Sequence, residues 1–208
     1  TTMQTHEAMK FISGLVIGDG NIQNGVFRGG QIVDHSDYVL WQKEQLEKIT
    51  SVHLSIRPER IDGRGVKSKE FWSITTRKLP LIETLQNRWY FGGRKTISVH
   101  DVEGFGWEQL AAWFMDDGTA PLYTVEPRRN GNMMLCTHSF NEAENLMLQH
   151  ILYKNFGLPF DVRKNKDYRY LFLRNKFSGD FYNGVKPFIL PSFQYKLRTI
   201  DPNSEYRS

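Results

Sequence analysis

Two short segments of the chain look like the same element written twice. The first runs F-I-S-G-L-V-I-G-D-G-N and the second L-A-A-W-F-M-D-D-G-T, so that both contain an Asp-Gly pair, Asp19-Gly20 and Asp117-Gly118. Each segment is apolar and helix-like up to the aspartate, and the glycine is placed to end the helix as a C-cap does. A helix repeated once per half can bring two carboxylates together at a pseudo-twofold axis. Paired carboxylates are what divalent-metal phosphodiester chemistry requires.

The segments around these motifs follow one order in both halves. Hydrophobic periodicity predicts helices at 6–18, 36–49 and 79–90 and strands at 21–28, 30–34, 53–61 and 70–76. The second half has predicted helices at 107–116, 141–156 and 178–188 and strands at 120–125, 132–139, 160–164 and 168–174. Both halves are therefore αββαββα units of an α+β fold. The predicted boundaries are 1–90 for the N-terminal half, 91–106 for a linker and 107–208 for the C-terminal half.

Composition limits the class of protein. Lys and Arg number 27 against 23 acidic residues, a formal net charge of +4. Basic residues alternate with aromatic and aliphatic ones on the predicted strands, which indicates one face for a core and one for phosphates. The single cysteine, Cys136, excludes an intramolecular disulfide and a cysteine-based zinc site, and it predicts an intracellular, reducing compartment. No stretch approaches the ~20 apolar residues that span a bilayer, so we expect no membrane partner.

The motifs and two further segments carry a family resemblance. G-L-V-I-G-D-G and L-A-A-W-F-M-D-D-G-T resemble the paired motifs of a single-chain LAGLIDADG homing endonuclease. The chain is most similar to the intron-encoded meganuclease branch, through W-F-M-D-D-G at 113–118, a basic-K-T-I segment at 94–97 and Y-K-L at 195–197. It departs from the name-giving pattern at Ile17 and Met115, which replace the first aspartate, and at Gly18, which replaces the alanine. The last aspartate is kept in both copies.

The resemblance implies both an architecture and an activity. The architecture is two pseudo-symmetric halves with antiparallel β-saddles on DNA, and two motif helices packed at the interface. The activity is that of a monomeric, site-specific homing endonuclease that makes a metal-dependent double-strand break in a long DNA target. Similar proteins also occur as intron RNA maturases, which assist splicing without cutting, and as transcriptional regulators on a retired endonuclease fold. Loss of the motif acids would favour these alternatives. Both acids remain here, which favours the endonuclease. A bifunctional protein that also binds intron RNA is the remaining alternative.

The resemblance also implies a metal site. Asp19 and Asp117 are the expected metal ligands, and the backbone carbonyls of Gly18 and Asp116 are further candidates. Hard oxygen ligands and few protein groups suit Mg²⁺; we expect Mn²⁺ to substitute, and Ca²⁺ to support binding without turnover. Consecutive helical positions point about 100° apart, so both neighbouring carboxylates cannot face one metal. Asp116 is expected to contribute its carbonyl or a hydrogen bond at the helix interface.

Four other side chains carry groups that can take part in catalysis or metal binding. Lys95 and Lys196 resemble the basic residues that flank each active site in this branch. Their implied role is electrostatic, either polarising the attacking water or neutralising charge on the phosphate. His138 has no ligand spacing to another His or Cys, and Cys136 is predicted to be a small core residue on a strand; both are expected to be structural.

Alternation along the predicted strands places polar side chains outward, toward a duplex. Arg and Gln can contact guanine and adenine edges in the major groove, whereas Lys mostly contacts phosphate. A one-residue error in register would exchange the two faces. The candidate DNA-binding residues are Gln23, Arg28, Gln31, Arg57, Arg60, Arg77, Arg128, Arg163, Lys164, Arg169 and Arg174, with Thr137 as a further outward position.

Overall fold

The computed structural model describes residues 3–119, 131–198 and 200. The N-terminal half contains α1 (Thr5–Val16), β1 (Asn21–Gln23), β2 (Val26–Ile32), α2 (Ser36–Leu46), β3 (Val52–Arg57), β4 (Arg60–Ile61), β5 (Lys67–Ser68), β6 (Phe71–Thr76) and α3 (Pro80–Trp89). The connecting segment contains β7 (Tyr90–Phe91), β8 (Arg94–Lys95) and α4 (Val99–Val102). The C-terminal half contains α5 (Trp107–Asp117), β9 (Gly118–Thr119), β10 (Met133–Cys136), α6 (Glu142–Phe156), β11 (Asp161–Asn165), β12 (Tyr168–Leu173), α7 (Ser178–Val185) and a 3₁₀ helix at Pro191–Leu197.

Each half contains a four-stranded antiparallel sheet covered by helices. The strand order is β1-β2-β6-β3 in the first sheet and β9-β10-β12-β11 in the second. The two orders are equivalent, because β9, β10, β11 and β12 take the places of β1, β2, β3 and β6. The predicted α+β class with two similar halves is therefore confirmed. The strand predicted at 120–125 and the candidate Arg128 lie outside the described residues.

Alternation along the strands separates a buried face from an outward face. Phe27 and Ile74 of the first sheet, and Leu135, Leu171 and Leu173 of the second, are fully buried and belong to the hydrophobic core. Successive strand residues point to opposite faces, so the residues between these positions lie on the outward side. This alternation decides which candidate DNA-binding residues can face a duplex.

Three of the outward predictions are wrong, because the sheet register places these side chains on the helix side. Two of them, Arg169 and Thr137, contact α6, and the third, Gln31, contacts Asp19. Arg169 lies on the face of Leu171, and its guanidinium pairs with Glu142 at the start of α6 at 2.6 Å. Thr137 is buried just after β10, where its hydroxyl donates to Asn145 of α6. Apolar or aromatic side chains occupy both faces of β12, so alternation in the sequence could not choose between the faces.

The two motif helices lie against each other at the interface of the halves, as predicted. A Cβ atom added to Gly14 of α1 would lie 2.8 Å from Gln109 Cγ of α5. One added to Gly18 would lie 2.5 Å from Asp116 Oδ2. Both distances are shorter than real Cβ contacts allow. The small residues in the first motif therefore permit a close approach that any larger residue would prevent.

The glycine after the second motif aspartate is the C-cap of its helix, as predicted, whereas the C-cap of α1 is Ile17 and not Gly20. Gly118 is the C-cap of α5, but its φ is −82°, in the extended region rather than the left-handed one. A Cβ added at Gly118 would collide with the Phe114 ring, and one at Gly20 would lie 2.6 Å from the Leu15 carbonyl oxygen. The glycines are thus required by lack of space, not by a positive φ.

The segment predicted as a linker is folded and contacts both halves. Arg94 donates two hydrogen bonds to the carboxylate of Glu144 in α6, at 2.9 and 3.1 Å. The next residue, Lys95, points to the end of the first motif. The boundaries 1–90, 91–106 and 107–208 remain predictions. No helix in the described part of the chain combines the length and apolar character needed to cross a bilayer.

Candidate active site between the two halves

The two motif aspartates lie near one another where α1 and α5 end. Burial, followed by the charge of Asp19, raises the pKa of Asp117 to about 7, although Lys95 and Lys196 act in the opposite direction. Asp19 itself is exposed. The interaction means that ionising both carboxylates is costly until a cation or other positive charge balances them.

Asp116 holds the motif helices together through its carboxylate. Its Oδ2 accepts a hydrogen bond from the Asp19 backbone N–H at 3.2 Å and one from the Tyr38 hydroxyl at 3.2 Å. Oδ1 is buried and accepts no hydrogen bond from any described residue. Burial, followed by the charge of Asp19, raises the pKa of Asp116 well above its usual range. The predicted hydrogen bond at the helix interface is confirmed. Because the carboxylate of Asp116 is used for this contact, it is a poorer candidate for a metal ligand than the carboxylate of Asp117.

A lysine lies at the end of each motif helix. Lys95 Nζ donates to the carbonyl oxygens of Gly18 and Gly20, at 2.9 and 3.0 Å. Lys196 Nζ donates to the carbonyl of Met115 at 2.5 Å, with Phe114 and Asp116 at 3.3 and 3.4 Å. Burial lowers the pKa of both lysines, and the nearby aspartates partly offset that decrease. A cation is favourable at the C-terminal end of a helix.

Lys196 reaches the site because its segment is docked on the N-terminal half. The His35 ring stacks on Phe193 with the centroids 4.1 Å apart, and His35 Nδ1 lies 3.1 Å from the Ser192 hydroxyl. The Ser192 backbone N–H donates to Asp37 Oδ2 at 3.0 Å. The N-terminal half therefore positions Lys196, which contacts the motif helix α5 of the C-terminal half.

The oxygen groups at this site fit a hard divalent cation. Asp19 and Asp117 offer carboxylate oxygens, and the carbonyls of Gly18 and Asp116 lie beside them, which is a donor set that Mg²⁺ accepts. Within the described residues, no three His, Cys, Asp or Glu side chains form a group that could hold a metal ion. A cation bound here would therefore depend on two carboxylates, with backbone, water or substrate oxygens completing its shell. The two candidate carbonyl ligands already accept hydrogen bonds from lysines.

Gln31 occupies a position that the sequence did not indicate. It was predicted to contact DNA, but its Nε2 donates to Asp19 Oδ2 at 3.0 Å. By register it lies opposite Trp72, on the same side of the sheet as the buried Ile74. The prediction that it points outward is wrong; it orients a motif carboxylate. No sequence pattern links a glutamine on β2 to an aspartate at the end of α1.

The remaining candidate DNA-binding residues are exposed, in two groups. In the first half, Arg28 donates to the Gln23 side-chain oxygen at 3.2 Å, and the Arg57 guanidinium lies 5.3 Å from the centre of the Phe71 ring. In the second half, Arg163 and Arg174 both approach Asp161, at 3.7 and 3.0 Å. Arg60, Arg77 and Lys164 are also exposed, and their contact with DNA stays a prediction. Lys164 pairs with Arg169, so it shares that residue's face of the sheet and is not on the outward one.

Comparison with known proteins identifies the family. A family model described as the LAGLIDADG DNA endonuclease family matches residues 9–180. The chain therefore belongs to that family, and the predicted resemblance is confirmed. The solved structure of the homing endonuclease I-WcaI bound to its DNA recognition sequence has the same fold, with a TM-score of 0.81 and 24% identity over 95% of this chain and 88% of that one.

Relatives of differing length align with the chain. An uncharacterized protein of Methanocaldococcus jannaschii is 29% identical over 195 residues, 91% of this chain and 73% of that protein. Protein RecA of Mycolicibacterium flavescens is 27% identical over 92% of this chain, but the match covers only 46% of that protein. A probable intron-encoded endonuclease of Wickerhamomyces canadensis is 36% identical over 88 residues, 42% of this chain and 38% of its own length. The chain thus spans less than half of the last two relatives.

Proposed function

We propose that the protein is a site-specific endonuclease that cuts both strands of a long duplex DNA target in a Mg²⁺-dependent reaction, acting as a monomer. The observation that carries the proposal is the pairing of Asp19 with Asp117 at the ends of two packed helices, each end bearing its own lysine. Membership of the DNA endonuclease family supports the same reaction class. One carboxylate from each half suits one scissile phosphate on each strand.

In the proposed mechanism the carboxylates of Asp19 and Asp117 would hold the divalent cation, together with the carbonyl oxygens of Gly18 and Asp116. A bound divalent cation supplies a Lewis acid for the scissile phosphate and lowers the pKa of a coordinated water. Gln31 fixes the Asp19 carboxylate through its amide. Asp116 keeps the two helix ends in contact, so that the carboxylates stay paired.

The two lysines supply positive charge on either side of this pair. Lys95 and Lys196 are held by backbone carbonyls, so little reorganisation is needed when negative charge develops on the phosphate. Preorganised cations of this kind stabilise a transition state more than they stabilise the substrate. A flexible surface lysine would not have this advantage, because ordering it would cost conformational entropy.

The test is cleavage selection from a randomised duplex pool, with capture of double-strand ends in Mg²⁺, Mn²⁺, Ca²⁺ or EDTA. We expect cutting in Mg²⁺ and Mn²⁺ only, with specific binding retained in Ca²⁺. Asp19→Asn and Asp117→Asn should each abolish double-strand cleavage and keep DNA affinity. Asp180→Asn, which changes an exposed carboxylate on α7, is the matched control and should cut normally.

Three outcomes would count against the proposal. A fully active Asp117→Asn protein would show that the wrong carboxylate is assigned, with Asp116 the first replacement to test. Equal cutting in EDTA would remove the metal from the mechanism. Tighter binding to a folded intron RNA than to any duplex, without cutting, would favour the maturase activity instead.

A further inference from the structure

The outward faces of the two sheets can be compared position by position. Asn21 and Thr119 each stand two residues after a motif aspartate. Asn21 pairs with Arg28 on β2, and Thr119 pairs with Met134 on β10. Met134 therefore takes the place in the C-terminal sheet that Arg28 has in the N-terminal sheet, beside the candidate active site.

The same equivalence extends across the next strand. The outward cross-strand pairs with a paired equivalent in both sheets are Arg28 with Thr75 and Gly30 with Ser73 in the first sheet, and Met134 with Phe172 and Cys136 with Tyr170 in the second. A set of mostly hydrogen-bonding side chains is thus replaced by an apolar and aromatic set. The next outward pair of the first sheet, Ile32 with Phe71, is apolar and lies further from the motif aspartate along β2. Cys136, predicted to be a core residue, is half-buried on this outward face instead.

These side chains form a shallow recess on the surface that faces outward. Its volume is about 260 Å³, and it is lined by Met134, Cys136, His138, Asn165, Tyr168 and Tyr170. One of its residues, Met134, pairs with Thr119 of β9, the strand that follows Asp117 directly. Exposed apolar surface with polar residues around it marks sites of interaction with a partner.

Arg163 and Arg174, which lie on the outward side of this sheet, are not among the residues that line the recess. Arg163 lies on β11, the outermost strand, with its guanidinium 3.4 Å from the centre of the Phe172 ring and 3.7 Å from Asp161. Arg174 Nε also donates to Asp161, at 3.0 Å. The guanidinium of Arg163 thus covers Phe172, the cross-strand neighbour of Met134, and its charge is paired with Asp161. Among the described residues, no arginine lines the recess itself.

We propose that the base pairs which contact this recess are recognised through the 5-methyl groups of thymine. In the major groove, the methyl of thymine is the apolar feature that distinguishes it, and it is recognised by apolar side chains, whereas guanine is best bound by a bidentate Arg or Lys. The equivalent base pairs under the N-terminal sheet are recognised by hydrogen bonds from Arg28 and Gln23. The two half-sites are thus specified by different chemistry. This inference rests on the proposed duplex substrate.

The first test removes only the methyl groups. The target is selected with the wild-type protein, and the half-site whose preferences change in Arg28→Ala is assigned to the N-terminal sheet. Thymines next to the cleavage positions are then replaced one at a time by deoxyuridine, and affinity is measured in Ca²⁺. We expect each replacement in the C-terminal half-site to weaken binding about fourfold, the value for one buried CH₂ group. Replacements in the N-terminal half-site should have no measurable effect.

The second test exchanges the side chains at the equivalent positions. Met134→Gln has nearly the same length but adds a hydrogen-bonding amide, and it should remove the thymine preference at one base pair. Arg28→Met is the reciprocal variant and should create sensitivity to deoxyuridine in the N-terminal half-site. Thermal unfolding of both variants checks that they are folded, and both sites are half-buried or exposed.

The outcomes separate this inference from the proposed function. Selection of G·C pairs beside the C-terminal sheet, or equal deoxyuridine effects in the two half-sites, would overturn the inference while the endonuclease stands. Tighter binding of an unpaired oligonucleotide than of the duplex would show that the aromatic side chains stack on bases, and it would also overturn the inference. A protein that binds no duplex specifically would overturn both proposals.

Discussion

The raised pKa of Asp117 predicts a metal-free protein whose stability falls as the pH rises. Burial and the neighbouring Asp19 raise this pKa from the ordinary 3.8 to about 7. Between these two values the folded protein holds a proton that the unfolded chain has lost. The contribution of Asp117 to the free energy of unfolding therefore decreases as the pH rises from about 4 to about 7, and it should then level off. One pKa unit corresponds to ~1.4 kcal/mol, so the full decrease is about 4 kcal/mol.

Asp117→Asn removes the titrating group and keeps the shape of the side chain. Without metal, we expect the variant to be more stable than the wild type by about 4 kcal/mol at pH 8 and by roughly 2 kcal/mol at pH 5. Asp116 is present in both proteins, so the difference between them isolates the contribution of Asp117. A loss of catalysis would thus accompany a gain in stability.

Urea unfolding at several pH values between 5 and 8, in the presence of a chelator, measures this difference. Asp180→Asn, at an exposed position on α7, should follow the wild type at every pH. Mg²⁺ should reduce the difference at pH 8, because it binds the wild type and not the variant. A constant difference between Asp117→Asn and wild type at all pH values would refute the reasoning, since it would show that the carboxylate titrates normally.

Three further variants test other contacts. Gly18→Ala should destabilise the protein by about 1–3 kcal/mol, because its methyl would meet Asp116; Gly63→Ala, which meets nothing within 4 Å, is the control in the same denaturation experiment. Arg57→Ala should reduce the free energy of DNA binding by about 1–3 kcal/mol through the loss of specificity at one cluster of base pairs. Lys164→Ala should instead weaken binding to all DNA sequences similarly and make binding less dependent on salt. His35→Ala should weaken the docking of the segment that contains Lys196 by about 0.5–1.5 kcal/mol. We expect it to lower the rate of cleavage more than the affinity for DNA, as single-turnover kinetics and a binding assay would show.

The arrangement of helices and strands could be predicted from the sequence more accurately than the directions of the side chains. Repetition of the Asp-Gly motif was enough to predict two equivalent halves and packed helices. The face of Arg169 was mispredicted because β12 has Leu171 and Leu173 on one side and Tyr170 and Phe172 on the other. Both patterns are apolar, so alternation had no polar side to identify.

The site was predictable only where a motif marked it. Lys95 and Lys196 were found through short segments that resemble a family, although no periodicity places either one near an aspartate. The bond from Tyr38 to Asp116 joins residues from different halves, and no local pattern in either half requires it. Such contacts follow from the way two units pack, which depends on the shapes of both surfaces at once.

The same duplication explains why the two motif carboxylates are not equivalent. Because Met134 corresponds to Arg28, the position that corresponds to Gln31 is Thr137. Gln31 donates to Asp19, but Thr137 is buried and bonded to Asn145 instead of turning to Asp117. Asp19 is thus exposed and oriented by an amide, while Asp117 is more buried and has the raised pKa. Fusion of two halves in one chain allows each half to change separately, both in the residues around its carboxylate and in the outward face of its sheet. The surroundings of each carboxylate are therefore set by its own half, within a frame that both halves share.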